Sequence, residues 1–227
     1  LNEHKMLTEH PLEVIIFSNE EGGTVGSMAM AGNLTPAGLQ QKSQSGPTMA
    51  EGIKAIGGNP DNIQSSVRKR GDLRAWVELH IEQGGILARE NVQIGVVEGI
   101  VGIVHWEVTV EGFANHAGTT PMNVRQDALL AASRLVIAVN EVITSVPGNQ
   151  VGTVGKLAVT PSAYNVIPGK VVLGLEIRDL AADKIETLFG EIERRATAIA
   201  AASNTTIRFD RQANASKPAL TNKALQQ

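Results

Sequence analysis

A chain of 227 residues with an apolar share of 42% is long enough for one large domain or two modest ones, each with a buried core. The formal charge of -3 comes from 23 acidic and 20 basic residues scattered along the chain; no basic block could neutralise a row of phosphates, so nucleic acid is not an expected partner. With no cysteine, disulfides and thiolate metal sites are excluded, any metal must be held by His, Asp or Glu, and the composition fits a reducing, cytoplasmic setting.

Residues 1–10 read as the tail of a helix already under way, without an initiator Met or the apolar centre of a signal peptide. The chain is therefore expected to be the central fragment of a longer protein. No apolar run approaches the roughly 20 residues that span a bilayer, so no membrane partner is expected. Residues 12–17 form a short β-branched run bounded by Pro11 and by Ser18-Asn19-Glu20-Glu21-Gly22-Gly23, which predicts a buried strand emptying into a loop. Short helices are expected at 27–31 and 49–56, and a second strand at 75–81. This alternation up to about Val97 is the pattern of an α/β layer with a largely parallel sheet.

Beyond Gly99 the pattern changes. Val104, Trp106, Val108 and Val110 alternate with polar residues, which predicts a half-exposed antiparallel strand. A helix is expected over 123–146, strands over 150–160 and 171–180, a second helix over 183–202 with Asp183 as N-cap, and a last strand over 205–210. The order β-α-β-β-α-β is the split β-α-β arrangement, with two helices on one face of a four-stranded sheet. Residues 1–98 are thus expected to belong to one domain, 99–213 to a second, and 214–227 to a return to the first.

Several residues could carry chemistry. Glu20-Glu21 stands where a strand ends in a loop, and one carboxylate could bind a metal while its neighbour takes a proton from water; the alternative is a solvated loop. On 76–82, a period of two sets Glu78, His80 and Glu82 on one face, where His80 is either a metal ligand or a hydrogen-bonded core histidine. His116 sits among small residues between a strand and a helix, free to reach a substrate or simply to face solvent. Asn165, in a loop, and Arg178, near the end of the next strand, could together clamp a carboxylate, the guanidinium offering a bidentate fork. The alternative for Arg178 is an ion pair with Asp179 or Glu176. His105, on the polar face of its strand, reads as a poor candidate, as do His4 and His10.

Taken in order, Ser18-Asn19-Glu20-Glu21-Gly22, Glu78-Leu79-His80-Ile81-Glu82-Gln83-Gly84, Asn115-His116-Ala117-Gly118-Thr119-Thr120-Pro121-Met122, Gly152-Thr153-Val154-Gly155 and Asn165-Val166-Ile167-Pro168-Gly169 resemble one family through almost the whole chain. It is the hydantoinase/carbamoylase branch of the M20 metallopeptidase-like hydrolases, which includes N-carbamoyl-L-amino acid hydrolases, allantoate amidohydrolases and β-ureidopropionases. The resemblance implies part of a zinc-peptidase-like α/β catalytic domain with an inserted ferredoxin-like lid and dimerisation domain. It also implies hydrolysis of a linear ureido or amide C-N bond, with an N-carbamoyl-L-amino acid favoured over allantoate as the small-molecule substrate.

By the same resemblance Glu20 is the general base, Glu21 and His80 are metal ligands, and Gln83 contacts substrate. His116, Asn165 and Arg178 bind substrate, His116 also stabilising the oxyanion, in part by reaching over from the partner in a homodimer formed through the lid. Two divalent metal ions, Zn, Mn, Co or Ni, are implied for the intact enzyme. An upstream histidine, an upstream aspartate and a C-terminal histidine of the family pattern lie outside this chain, so the fragment itself is expected to be metal-poor and inactive. The rival from another class is a non-catalytic dimerisation module folding over 99–213.

Overall fold

The apolar runs at 12–17 and 75–81 do not form strands. In the computed structural model, which describes residues 3–20, 23–43 and 46–226, residues 11–17 and 75–82 are extended without ladder partners. Val14, Ile16, Val77, Leu79 and Ile81 are exposed, Leu79 to 97%. A strand of a parallel sheet is buried only when neighbours cover its edges and faces, and the described residues around these two runs supply none. The rings of Phe17 and Trp76 stack with centroids 5.9 Å apart, so the two extended segments meet there. Residues 3–10 contain a turn rather than the expected helix tail.

The chain divides into two compact units, Leu1–Gln83 and Gly84–Gln227. The first holds short helices α1 (Val25–Met30), α2 (Pro36–Leu39) and α3 (Met49–Ala55), followed by a 3-10 segment at Pro60–Ser66. They gather round a small core of Val25, Ala29, Leu34 and Leu39. The start of α3 is fixed by a capping box, in which the Thr48 hydroxyl accepts from the Glu51 N–H and the Glu51 carboxylate accepts from the Thr48 N–H.

The second unit runs α4 (Ile86–Glu90), β1 (Gly99–Ile100), β2 (Gly102–Glu111), β3 (Asn115–His116), α5 (Ala128–Ser145), β4 (Val151–Thr160), β5 (Val166–Ile167), β6 (Lys170–Asp179), α6 (Ala182–Ser203), β7 (Thr206–Arg211) and β8 (Ala219–Leu220). The strands β4-β6-β2-β7, in that spatial order, make an antiparallel sheet, so β2-α5-β4-β6-α6-β7 is the β-α-β-β-α-β order read from the sequence. The smaller pairs β3-β5 and β1-β8 flank it.

Because side chains alternate across a strand, the register of β2 on β6, from Gly102↔Asp179 to Glu111↔Lys170, sorts residues cleanly between two faces. Val104, Trp106, Val108 and Val110 join Val171, Leu173, Leu175 and Ile177 on the side covered by helices. There they meet Leu135, Val139 and Val142 of α5 and Ile185, Leu188 and Ile192 of α6. Trp106 stacks on Phe189 at 4.2 Å, and Phe189 meets Phe209 edge-on. By length and composition α5 is apolar enough to cross a membrane; Ala131, Ala132, Leu135 and Val139 of this helix are instead buried in the core.

Two helix starts differ from expectation. α5 begins at Ala128, not 123, because Asp127 is its cap, the carboxylate accepting from the N–H groups of Leu129 and Leu130, while Met122–Val124 makes a separate 3-10 turn. Asp183 does not cap α6. The cap position is Ala181, whose N–H is bonded by Asp179, and Asp183 lies inside the first turn, where a carboxylate still favours the helix dipole.

Truncation of Leu135 to Ala should lower the stability of the chain by about 2–5 kcal/mol, the usual cost of a cavity at a fully buried leucine. Leu79→Ala should change it by less than about 0.5 kcal/mol, as at an exposed site. Urea midpoints of the two variants check both, and equal losses would contradict the exposed extended segment.

Candidate active site

In the first unit, Glu20 lies in the turn that follows the extended residues 11–17, its backbone carbonyl accepting from Thr24 N–H at 3.1 Å and its side chain exposed. Glu21, the expected metal ligand beside it, lies outside the described residues. His80 is exposed rather than in a core, and its Nδ1 donates to the Ile81 carbonyl at 2.6 Å. A carbonyl only accepts, so the ring proton sits on Nδ1 and the Nε2 lone pair is left for a ligand. Metal-binding imidazoles take this form when a carbonyl orients their other nitrogen. Gln83 is exposed and left-handed, with φ 53°. No group of three or more His, Cys, Asp or Glu able to hold a metal occurs among the described residues. His80 therefore has the chemistry of one ligand, but the described residues do not complete a metal centre, and no chemical step is assigned to one.

In the second unit, His116 and Asn165 are brought together by the β3-β5 pairing, in which His116 faces Val166, and Ala117 N–H donates to the Asn165 carbonyl at 2.9 Å. The turn carrying His116 is pinned at several points. Gly112 N–H donates to Gly169 C=O, Phe113 N–H to Gln126 C=O and Ala128 N–H to Pro168 C=O, at 2.8–3.0 Å. These approaches need glycine: a Cβ on Gly112 would lie 2.0 Å from the Gln126 oxygen, and one on Gly169 2.9 Å from the Ala114 nitrogen. The half-buried Arg125 guanidinium closes the turn by donating to the carbonyls of Ala117 (2.6 Å) and Thr120 (2.9 Å).

The same turn fixes the tautomer of His116. Its Nδ1 accepts from the backbone N–H groups of Gly118 at 3.1 Å and Thr119 at 3.2 Å, and the Thr119 hydroxyl lies 3.1 Å away. An atom that accepts from two N–H groups carries no proton, so the ring proton is on Nε2 and the exposed ring offers a donor to solvent.

Arg178 lies elsewhere. Its neighbours in the sheet are Ile103 and Val151, at the end of β6 remote from Lys170. Eight residue steps along β6 separate Arg178 from Lys170, about 26 Å at the usual rise. The expected Asn165–Arg178 clamp is therefore not formed within one chain, because the loop and the end of β6 lie at opposite ends of the sheet.

On the sheet face away from the helices, Arg178 Nε donates to Glu176 Oε1 at 2.5 Å, and His105 Nε2 donates to Glu176 Oε2 at 2.7 Å. His105 and Glu176 are direct cross-strand partners. The Arg178 guanidinium holds the Glu176 carboxyl below its ordinary range, with His105 adding to the effect against partial burial, and Glu176 in turn raises Arg178. Beside this row a shallow depression of about 390 Å³ is lined by His105, Glu107, Thr153, Lys156, Glu176 and Gln212. His105 Nδ1 is buried with no hydrogen-bond partner among the described residues, a loss worth about 1–3 kcal/mol for a typical orphaned group.

Residues 1–223 match the profile of peptidase family M20/M25/M40. The chain belongs to the M20 peptidase family. Among its relatives, the N-carbamoyl-L-amino acid amidohydrolase of Geobacillus stearothermophilus is 40% identical over 216 residues, covering 93% of this chain and 53% of the relative. The allantoate deiminase of Arabidopsis thaliana is 33% identical, covering 76% of this chain and 38% of that enzyme. A crystal structure of a hydantoinase/carbamoylase-family amidase from Burkholderia multivorans superposes with a TM-score of 0.87 at 35% identity, covering 99% of this chain and 55% of that one. The chain spans about half the length of the curated relatives it matches.

For this M20 chain, sequence reading missed Arg125 as the staple of the His116 turn and dismissed His105. The alternation that put His105 on the polar face was the available signal, but its partner Glu176 is 71 residues away and only the strand register joins them.

Two measurements test this geometry. In ¹⁵N spectra, His116 should show an unprotonated Nδ1 and a protonated Nε2, and the reverse tautomer would contradict the turn. Because the folded Glu176 titrates below its ordinary value of 4.5, its stabilising contribution is complete above that pH and is lost as pH falls through the folded value. Glu176→Gln should therefore flatten the acid side of the stability profile, read from urea unfolding between neutral pH and pH 3.

Proposed function

We propose that the full-length protein carrying this chain hydrolyses the C–N bond of a linear ureido or amide substrate, with an N-carbamoyl-L-amino acid favoured and allantoate as the alternative. The observation that carries the reading is the His116 turn, which leaves an exposed Nε2–H on the ring, a donor of the kind that stabilises a carbonyl oxygen as it gains charge. The 40% identity to an N-carbamoyl-L-amino acid amidohydrolase supports the choice of substrate.

In this reading Glu20 takes a proton from a water as the water oxygen attacks the carbonyl carbon. The carbonyl oxygen becomes an oxyanion that accepts from His116 Nε2–H, with Asn165 alongside. The C–N bond then breaks, and the proton held by Glu20 passes to the leaving nitrogen. Arg178 binds the substrate carboxylate, and Gln83 is a further contact. Zn, Mn, Co or Ni are proposed as ions of the full-length protein, with Glu21 and His80 as two of their ligands; none of the steps above runs through them.

The His116 turn is tied to Gly169, at the start of β6, and Arg178 stands about 26 Å along that strand from Lys170, too far for one small substrate to bridge. We therefore assign the two groups to different subunits of a homodimer, formed through the domain over 99–213 acting as lid. The outer edge of β4 is unpaired among the described residues, which suits such an assembly.

In a protein of the relatives' full length, Glu20→Gln should lower kcat on an N-carbamoyl-L-amino acid by about 10²–10⁴-fold, with metal content nearly unchanged. A normal rate would remove Glu20 as the base. Mixing Arg178→Lys and His116→Ala proteins should restore part of the activity that each lacks alone, because a mixed dimer keeps one intact site; no recovery would count against the shared site.

A further inference from the structure

Arg178 is a half-buried cation near a strand end, and it is not free to swing. We propose that Glu176 and His105 are positioning residues for Arg178, a cross-strand relay that docks its Nε edge and turns the two Nη groups outward as a carboxylate fork. The inference rests on the reading of Arg178 as the carboxylate clamp and deepens it.

The geometry divides the guanidinium into two edges. Nε is committed to Glu176 Oε1 at 2.5 Å, and no described residue bonds Nη1 or Nη2. A carboxylate can then be met only end-on, by the Nη pair, in the bidentate arrangement that fixes both distance and orientation. Glu176 could rotate about its own side chain were it held by Arg178 alone, but its second oxygen is taken by His105 Nε2 at 2.7 Å. That histidine projects from the adjacent strand at the directly opposed position, so the backbone ladder sets its place. A carboxylate accepts only, which fixes the His105 proton on Nε2. The buried Nδ1 has no partner among the described residues, so Glu176 is the one described group bonded to the ring.

The arrangement sets what each position would tolerate. Gln at 176 keeps the shape but can point an N–H at Arg178. Phe at 105 keeps the ring and removes the donor, whereas Gln at 105 keeps a donor of similar reach.

The test uses N-carbamoyl-L-amino acid hydrolysis by a protein of the relatives' full length that carries this segment, with an N-carbamoyl amino amide as the comparison substrate lacking the carboxylate. Glu176→Gln should raise KM for the acid about tenfold while changing kcat less than about threefold, and leave the already poor KM for the amide unmoved. His105→Phe should raise KM for the acid several-fold, and His105→Gln should restore most of it. In an Arg178→Lys background neither change should add to the loss. If Arg178→Lys raises KM but Glu176→Gln and His105→Phe do not, the relay is wrong and the clamp stands. If Arg178→Lys itself leaves KM unchanged, the clamp reading fails and takes the relay with it. Equal losses on acid and amide would make the pair structural and overturn the proposal. Should Glu176→Gln be recovered unfolded, the two His105 variants decide the matter. In the 227-residue chain itself, Arg178 Nε–H should be protected from solvent exchange and lose that protection in either Glu176→Gln or His105→Phe; unaltered protection would refute the anchor.

Discussion

The pairing of β2 with β6 is the constraint on which the second unit depends. Ten residues of each strand lie opposite one another without a slip, and since side chains alternate, a shift of one position would turn every one of them over. The apolar positions would face water and the row of His105, Glu176 and Arg178 would be pressed against the helices. Burial of Trp106, Leu173, Leu175 and Ile177 beneath α5 and α6 thus fixes the electrostatics of the opposite face. Core and candidate site are two sides of one registration.

Much of this unit was legible in the sequence because its four long strands pair with one another. The alternation over 104–110 identified both a strand and its inner face, and the strand and helix limits fell within a few residues of those observed. The runs at 12–17 and 75–81 were equally apolar and were read as buried, but burial belongs to an assembly of strands, and a lone segment cannot report whether its neighbours are present. Val14, Ile16 and Leu79 are exposed for that reason. Helix caps failed at a finer scale. Asp127 and Asp183 are both aspartates at a helix start, yet only the backbone geometry before each decides which one accepts from the first free N–H groups.

The candidate site was legible as a set of residues and not as an arrangement. His116 and Asn165 stand in recognisable motifs, and their closeness follows from the short β3-β5 pairing. Their distance from Arg178 follows from the length of β6, which a motif does not convey. The chemistry of the imidazoles was hidden more deeply: whether Nδ1 donates, as in His80, or accepts, as in His116, depends on one or two backbone groups in the adjoining turn. Those turns decide that one ring is suited to bind an ion and the other to donate to an oxygen.

The chain has two tryptophans, and the fold has distributed them one to each unit. Trp106 is almost wholly enclosed, stacked on Phe189 with the Arg211 guanidinium 5.6 Å from its ring, whereas Trp76 leans on Phe17 with nearly half its surface in water. Their emission should therefore be separated in wavelength, the enclosed indole to the blue of the wet one. Replacing either by phenylalanine would leave a single fluorophore, and the loosening of each half of the molecule could be followed by its own colour in an unlabelled sample.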